Sequence, residues 1–104
     1  MSEWNVFYTE QAEQDLRNVF EYIAFSLREP EIAKKQTKRI MDRISSLKNM
    51  PFRCRLYEHE PWKSKGLRVA VADNYLVLYL PDETEKTVAI IRIMYGARNI
   101  VEQL

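Results

Sequence analysis

Residues 67–96 read LRVAVADNYLVLYLPDETEKTVAIIRIMYG, and this stretch decides the fold. Leu67, Val69 and Val71 alternate with Arg68, Ala70 and Ala72, which is the period of a β-strand. Asp73-Asn74 is turn chemistry. Tyr75–Leu80 is a second β-rich run, closed by Pro81-Asp82 and followed by a polar loop at Glu83–Glu85. Thr87–Tyr95 is the longest run. Its nearly continuous apolar character predicts the central strand. Gly96 ends it. The connections between these runs are too short for crossovers, so the three runs form an antiparallel meander.

Upstream, Trp4–Tyr8 is β-rich and predicts a first strand. Thr9 is a good N-cap, and Glu10 follows at the favourable end of a helix dipole. Ala12, Leu16, Phe20, Ile23 and Leu27 then recur at three- and four-residue steps, which predicts an amphipathic helix over 10–27. Arg28-Glu29-Pro30 breaks the pattern, and Pro30 suits a first helical turn. A second stripe of Ala33, Thr37, Ile40, Ile44 and Leu47 continues until Pro51. So short a break makes the two helices an antiparallel hairpin. Residues 51–66 read as an irregular stretch punctuated by Pro51, Pro61 and Gly66, the kind of loop on which sites are built. The expected class is α+β, order β-α-α-β-β-β, with the helical hairpin packed on one face of an antiparallel sheet. Residues 98–104 read as a short tail or helical turn.

The length of 104 residues fits a single domain, 1–104, and the mix of 46% hydrophobic and 30% charged residues fits a globular chain. The lone Cys54 allows no intrachain disulfide, in keeping with a reducing cytoplasm. No apolar run approaches the ~18 residues of a membrane span, and no signal peptide is evident. The net charge of +1 is unevenly spread. Residues 1–27 carry one basic and five acidic side chains (−4), residues 28–68 twelve and five (+7), and residues 69–104 three and five (−2). A basic middle between acidic ends suits an acidic partner or nucleic acid, or a solvated helix face and loop.

P-loop, GxGxxG, HExxH and CxxC motifs are all missing, and one Cys with one His cannot build an ordinary zinc site. No cofactor is implied. A serine triad would have to use His59, and there is no nucleophile-elbow motif. What remains is cations, carboxylates and a phenol. RNA cleavage by 2′-hydroxyl attack needs a base, a donor for the leaving oxygen, and cations for the phosphorane charge. Glu60 is the candidate base, Tyr95 the candidate donor, and Arg68 or Arg98 the phosphate contact. Salt bridges on the sheet surface explain the same arginines, and core packing explains Tyr95. Lys63, Lys65, Arg68, Arg92 and Arg98 are the candidate cations for gripping a target or partner. Arg92, set among Ile90, Ile91, Ile93 and Met94, must find a carboxylate or face outward.

Three stretches resemble the RelE/ParE superfamily of toxins, with a pattern nearest the ParE-like members. They are Phe7–Leu16 with Tyr22-Ile23-Ala24, then Leu67-Arg68 with Asn74–Tyr79, and finally Ile91–Ile100. The resemblance implies a cytoplasmic toxin of a type II toxin–antitoxin system, linked to plasmid stabilization and growth inhibition. It implies a cognate antitoxin that wraps the toxin into a hetero-oligomer. RelE-like and YoeB-like members cut mRNA in the ribosome, whereas ParE-like members poison DNA gyrase. Glu60-Pro61-Trp62-Lys63 looks like the stretch carrying the base in YoeB-like toxins. Tyr95 falls where that group has a catalytic histidine, and Arg98 matches a phosphate-contacting arginine. Against the nuclease groups, Leu76 replaces their strand arginine, and Leu104 stands near the place of the RelE C-terminal tyrosine. Asn99 replaces the usual acidic residue of the ParE-like ending. The expectation is a gyrase inhibitor. The alternatives are a ribosome-dependent mRNA endonuclease and an inactive member that serves as an antitoxin-binding co-repressor.

Overall fold

The computed structural model describes residues 3–96. Strand β1 (Asn5–Tyr8) leads into helix α1 (Glu10–Glu21). Thr9 caps α1 as its sequence position predicts, its hydroxyl oxygen accepting from the Ala12 N–H at 3.2 Å. The same hydroxyl donates to the Ile90 carbonyl at 2.7 Å, pinning the helix start to the sheet. Helix α2 (Pro30–Ser45) begins on its proline.

The helix expected over 10–27 changes character part-way. After Glu21 the chain widens into a π-helical turn, Tyr22–Ser26, closed by the Leu27 N–H on the Tyr22 carbonyl at 3.0 Å. The wider turn brings Ile23 and Ala24 together against Ala33 of α2. It also turns Leu27, expected on the buried stripe, outward to 51% exposure. The second helix stops at Ser45, earlier than its proline signal, and continues as a short 3-10 turn, Ser46–Lys48.

The loop region is more structured than its punctuation suggests. A 3-10 turn, Pro51–Arg53, leads into a two-residue strand β2 (Arg55–Leu56), and a single-turn helix α3 spans Trp62–Lys65. Strands β3 (Arg68–Ala72), β4 (Tyr75–Asp82) and β5 (Thr87–Tyr95) form the predicted meander. The sheet order is β1-β5-β4-β3-β2. β1 joins β5 in parallel, because the whole helical hairpin carries the chain across one face before it returns. The sheet is therefore mixed, not wholly antiparallel. β5, expected to be the central strand, is an interior one next to β1, and the middle place belongs to β4.

Each face of the sheet has its own apolar cluster. Under the helices lie Ala12, Ile40, Ile44 and Leu47 against Val77, Tyr79, Val88 and Ile90. Ala70 and Ala72 are small enough to let α2 lie close over β3. The other face gathers Leu67, Val69, Leu78 and Met94 beneath Tyr57 and Trp62, so the 57–66 segment covers ground that the sequence left open. The β4–β5 register slips between Leu78, opposite Arg92, and Tyr79, opposite Ile90. That bulge lets Ile90 and Ile93 both face the helices, while Ile91 and Met94 face the other cluster.

Candidate functional site

Three side chains from the sheet and helix layers hold the segment after α2. The Tyr79 hydroxyl, fully buried, donates to the Pro51 carbonyl at 2.6 Å. Arg68 Nη1 donates to the Phe52 carbonyl at 2.8 Å and the Cys54 carbonyl at 2.6 Å, and its guanidinium lies 5.1 Å from the Phe52 ring centroid. Arg68 Nε is buried without a partner among the described residues. Arg43 Nη2 donates to Cys54 Sγ at 3.3 Å, while its Nε donates to the Val71 carbonyl at 3.1 Å. Cys54, the lone cysteine, is thus the half-buried hub of this corner.

Burial pushes the Tyr79 phenol far above the ordinary tyrosine range. The neighbouring Cys54 thiol pushes it further, against the weaker pull of Arg68 and Arg43. A raised folded value favours the neutral phenol. Its contribution to stability is complete below the unfolded value near 10 and is lost as pH climbs towards the folded one. Denaturation at pH 8, 10 and 11 should therefore show stability falling above pH ~10, with a shallower fall in Tyr79→Phe. The slope need not vanish, because burial also raises Tyr8. A slope unchanged by the substitution refutes this assignment.

The candidates for RNA cleavage do not share one place. Glu60 sits on the segment covering the far face, where its Oε1 accepts from the Ser64 N–H at 2.9 Å. Hydrogen bonding to Ser64, with help from Lys63, holds its carboxyl below the usual glutamate range. That opposes the upward shift a general base needs near neutral pH. Lys63 and Lys65 are exposed on the same segment, Lys65 lying 4.9 Å from the Trp62 ring centroid. His59 is exposed, edge-on to Tyr57. Tyr95 is 44% exposed and packs edge-to-face on Tyr75. Arg68 pairs with Tyr79 and Tyr95 with Tyr75, so the two candidates are four residues apart along β4 and lie on the strands flanking it. Their Cα atoms are therefore about 17 Å apart. Arg98 lies outside the described residues.

Arg92 finds its carboxylate in Asp15 of α1. Its Nε and Nη2 donate to Asp15 at 2.8 and 3.2 Å, and the same carboxylate accepts the backbone N–H of Ile93 at 2.9 Å. This N–H belongs to the part of β5 beyond its pairing with β1. Between α1, the π-helical turn and this strand end lies a groove of about 650 Å³, lined by Val19, Tyr22, Leu27, Ile32 and Tyr95 among others.

The family model described as the ParE toxin of type II toxin–antitoxin systems, parDE, matches residues 6–100. The chain belongs to the ParE toxin family. It is thus the toxin component of a type II toxin–antitoxin system. Two solved structures share the fold of this ParE-family chain. One is from the chromosomal ParDE toxin–antitoxin system of P. aeruginosa. It has a TM-score of 0.74 and 19% identity, over 89% of this chain and 96% of that one. The other is from the toxin–antitoxin complex RelBE2 of Mycobacterium tuberculosis. It has a TM-score of 0.64 and 22% identity, over 89% and 98%. No curated protein matches the sequence. Among the described residues, no helix is long and apolar enough to cross a membrane.

Sequence reasoning missed Asp15 and Tyr79. Asp15 stands three residues after Ala12 and one before Leu16, hence on the buried stripe of α1. An acid misplaced on a helix stripe and a cation misplaced on an apolar strand are a pair that could have been matched. Tyr79 looked like any strand aromatic, and nothing local marks the carbonyl its hydroxyl serves.

Proposed function

We propose that this ParE-family toxin arrests growth by binding DNA gyrase, without cleaving RNA itself, until a cognate antitoxin covers it. The observation that carries the reading is the engagement of Arg68. Its Nη1 holds two backbone carbonyls of its own fold instead of standing free for a phosphate, and Tyr95 lies at the other end of the sheet. The lowered carboxyl of Glu60 adds to it. The antitoxin is supported by the family description and by the ParDE and RelBE2 systems that share the fold.

The test is induction of the toxin alone in growing cells. Plasmid supercoiling should relax or the DNA-damage response should rise, while mRNA stays whole. Glu60→Ala and Tyr95→Phe should arrest growth as strongly as the parent toxin. Rapid mRNA cutting with normal supercoiling, abolished by Glu60→Ala, would replace this reading with the endonuclease one.

A further inference from the structure

We infer that Met50–Leu56 is the surface with which the toxin grips its protein target, and that the target presents carboxylates beside apolar side chains. The inference rests on the binding reading above and adds the surface and its chemistry.

The segment is fixed from behind and open in front. Tyr79, Arg68 and Arg43 hold the backbone or sulfur of Pro51, Phe52 and Cys54. Meanwhile Met50, Phe52 and Leu56 are 70%, 41% and 39% exposed, and Arg53 and Arg55 are exposed between them. Neither arginine has an ion pair or a side-chain hydrogen bond among the described residues. The other cations nearby are engaged: Arg39 pairs with Asp73, Lys38 with Asp42, and Lys48 with Glu3.

Met50 adds a strained backbone. It takes up φ 52° and ψ 58°, a left-handed conformation that non-glycine residues rarely adopt outside functional or tightly determined places. Arg28, Asp73 and Lys86 take nearly the same φ at plain turns, so the three clamps, not the backbone alone, set this loop apart from a simple connection. A rigid loop loses little conformational freedom on binding, so its exposed groups bind more tightly than mobile ones.

The composition selects a protein partner. Arginine, methionine and aromatic side chains are enriched at protein interfaces, and arginine and aromatics at their energetic centres. Exposed Met50, Phe52 and Leu56 gain nothing from a phosphodiester backbone, whereas an apolar patch would bury them. Two unpaired arginines on the same ridge call for carboxylates, and their field hastens encounter in a salt-dependent way.

The experiment uses full-length toxin carrying Arg53→Glu and Arg55→Glu. It is titrated against purified DNA gyrase on relaxed plasmid, and growth arrest on induction is scored in parallel. The double reversal should raise the half-inhibitory concentration about tenfold or more. It should still melt like the parent and co-purify with the antitoxin. Arg53→Lys with Arg55→Lys should stay within about threefold of the parent, since it keeps the charge. Should the reversal lower the melting temperature, Arg53→Gln with Arg55→Gln is judged by the same criteria. Full-strength inhibition by the reversed toxin overturns the inference. So does loss of antitoxin binding by a variant that melts normally, which makes this the antitoxin's surface. So does binding of the parent to bare duplex DNA that falls in step with inhibition, which makes it a nucleic-acid surface. If the parent toxin leaves gyrase untouched, the gyrase reading fails by itself. Growth arrest then decides the surface: its loss in the reversed toxin upholds the inference, and its retention overturns it.

Discussion

Asp15→Ala is expected to lower the unfolding free energy by about 3–5 kcal/mol, a large part of the roughly 5–15 kcal/mol that holds a domain of this size. The Asp15 side chain is 7% exposed and that of Arg92 21%, so the charges attract one another with little screening by water. Removing the carboxylate takes two charge-assisted hydrogen bonds from the Arg92 guanidinium. It also leaves the Ile93 N–H without its acceptor. Asp15→Asn keeps an acceptor for that N–H and should cost roughly half as much. Replacing both partners by leucine should recover part of the loss, because the ion pair's desolvation cost goes with it while the Ile93 N–H still lacks its acceptor. Urea denaturation of the four proteins measures all of this. An Asp15→Ala protein within about 1 kcal/mol of the parent would contradict the account of α1 as locked to β5 through this ion pair.

Arg68→Ala should cost about 2–4 kcal/mol, since two charge-assisted hydrogen bonds and the contact with Phe52 disappear together. The loss should be local in its first expression. Amide exchange should quicken across Arg53–Leu56 before it quickens in β4 and β5, because the segment would keep its Tyr79 and Arg43 attachments and the short β2–β3 pairing but lose both Arg68 hydrogen bonds. Arg68→Lys should recover less than half of the stability. A lysine has the charge but neither the reach that sets one Nη1 between two carbonyls nor the planar group that lies over the Phe52 ring. A phosphate contact would instead tolerate lysine well and leave stability unmoved. Unchanged exchange and stability in Arg68→Ala would therefore return this residue to the catalytic candidates.

The meander, the capped first helix and the hairpin were legible because each rests on local periodicity or on a turn residue. Thr9, Pro30 and Asp73-Asn74 act where their chemistry says they should. Other features were illegible because they depend on partners distant in sequence. The π-helical turn exists because Ile23 and Ala24 must both meet Ala33. β2 exists because β3 offers it an edge. The parallel pairing of β1 follows from where the hairpin sets the chain down. At the candidate site, the residue types were legible and their duties were not. Arg68 looked like a phosphate ligand because its two carbonyl partners, 14 and 16 residues away, have no signature in sequence.

Asp15 at the Ile93 N–H and Arg43 at the Val71 carbonyl occupy the parts of β5 and β3 that the short edge strands β1 and β2 leave uncovered. A second molecule seeking to extend the ladder along either uncovered part must first evict an ion from its hydrogen bond. Stacking into cross-β fibres is thereby discouraged at both ends by opposite charges. A toxin chain standing apart from its partner is in this way guarded against laddering onto copies of itself along those two stretches.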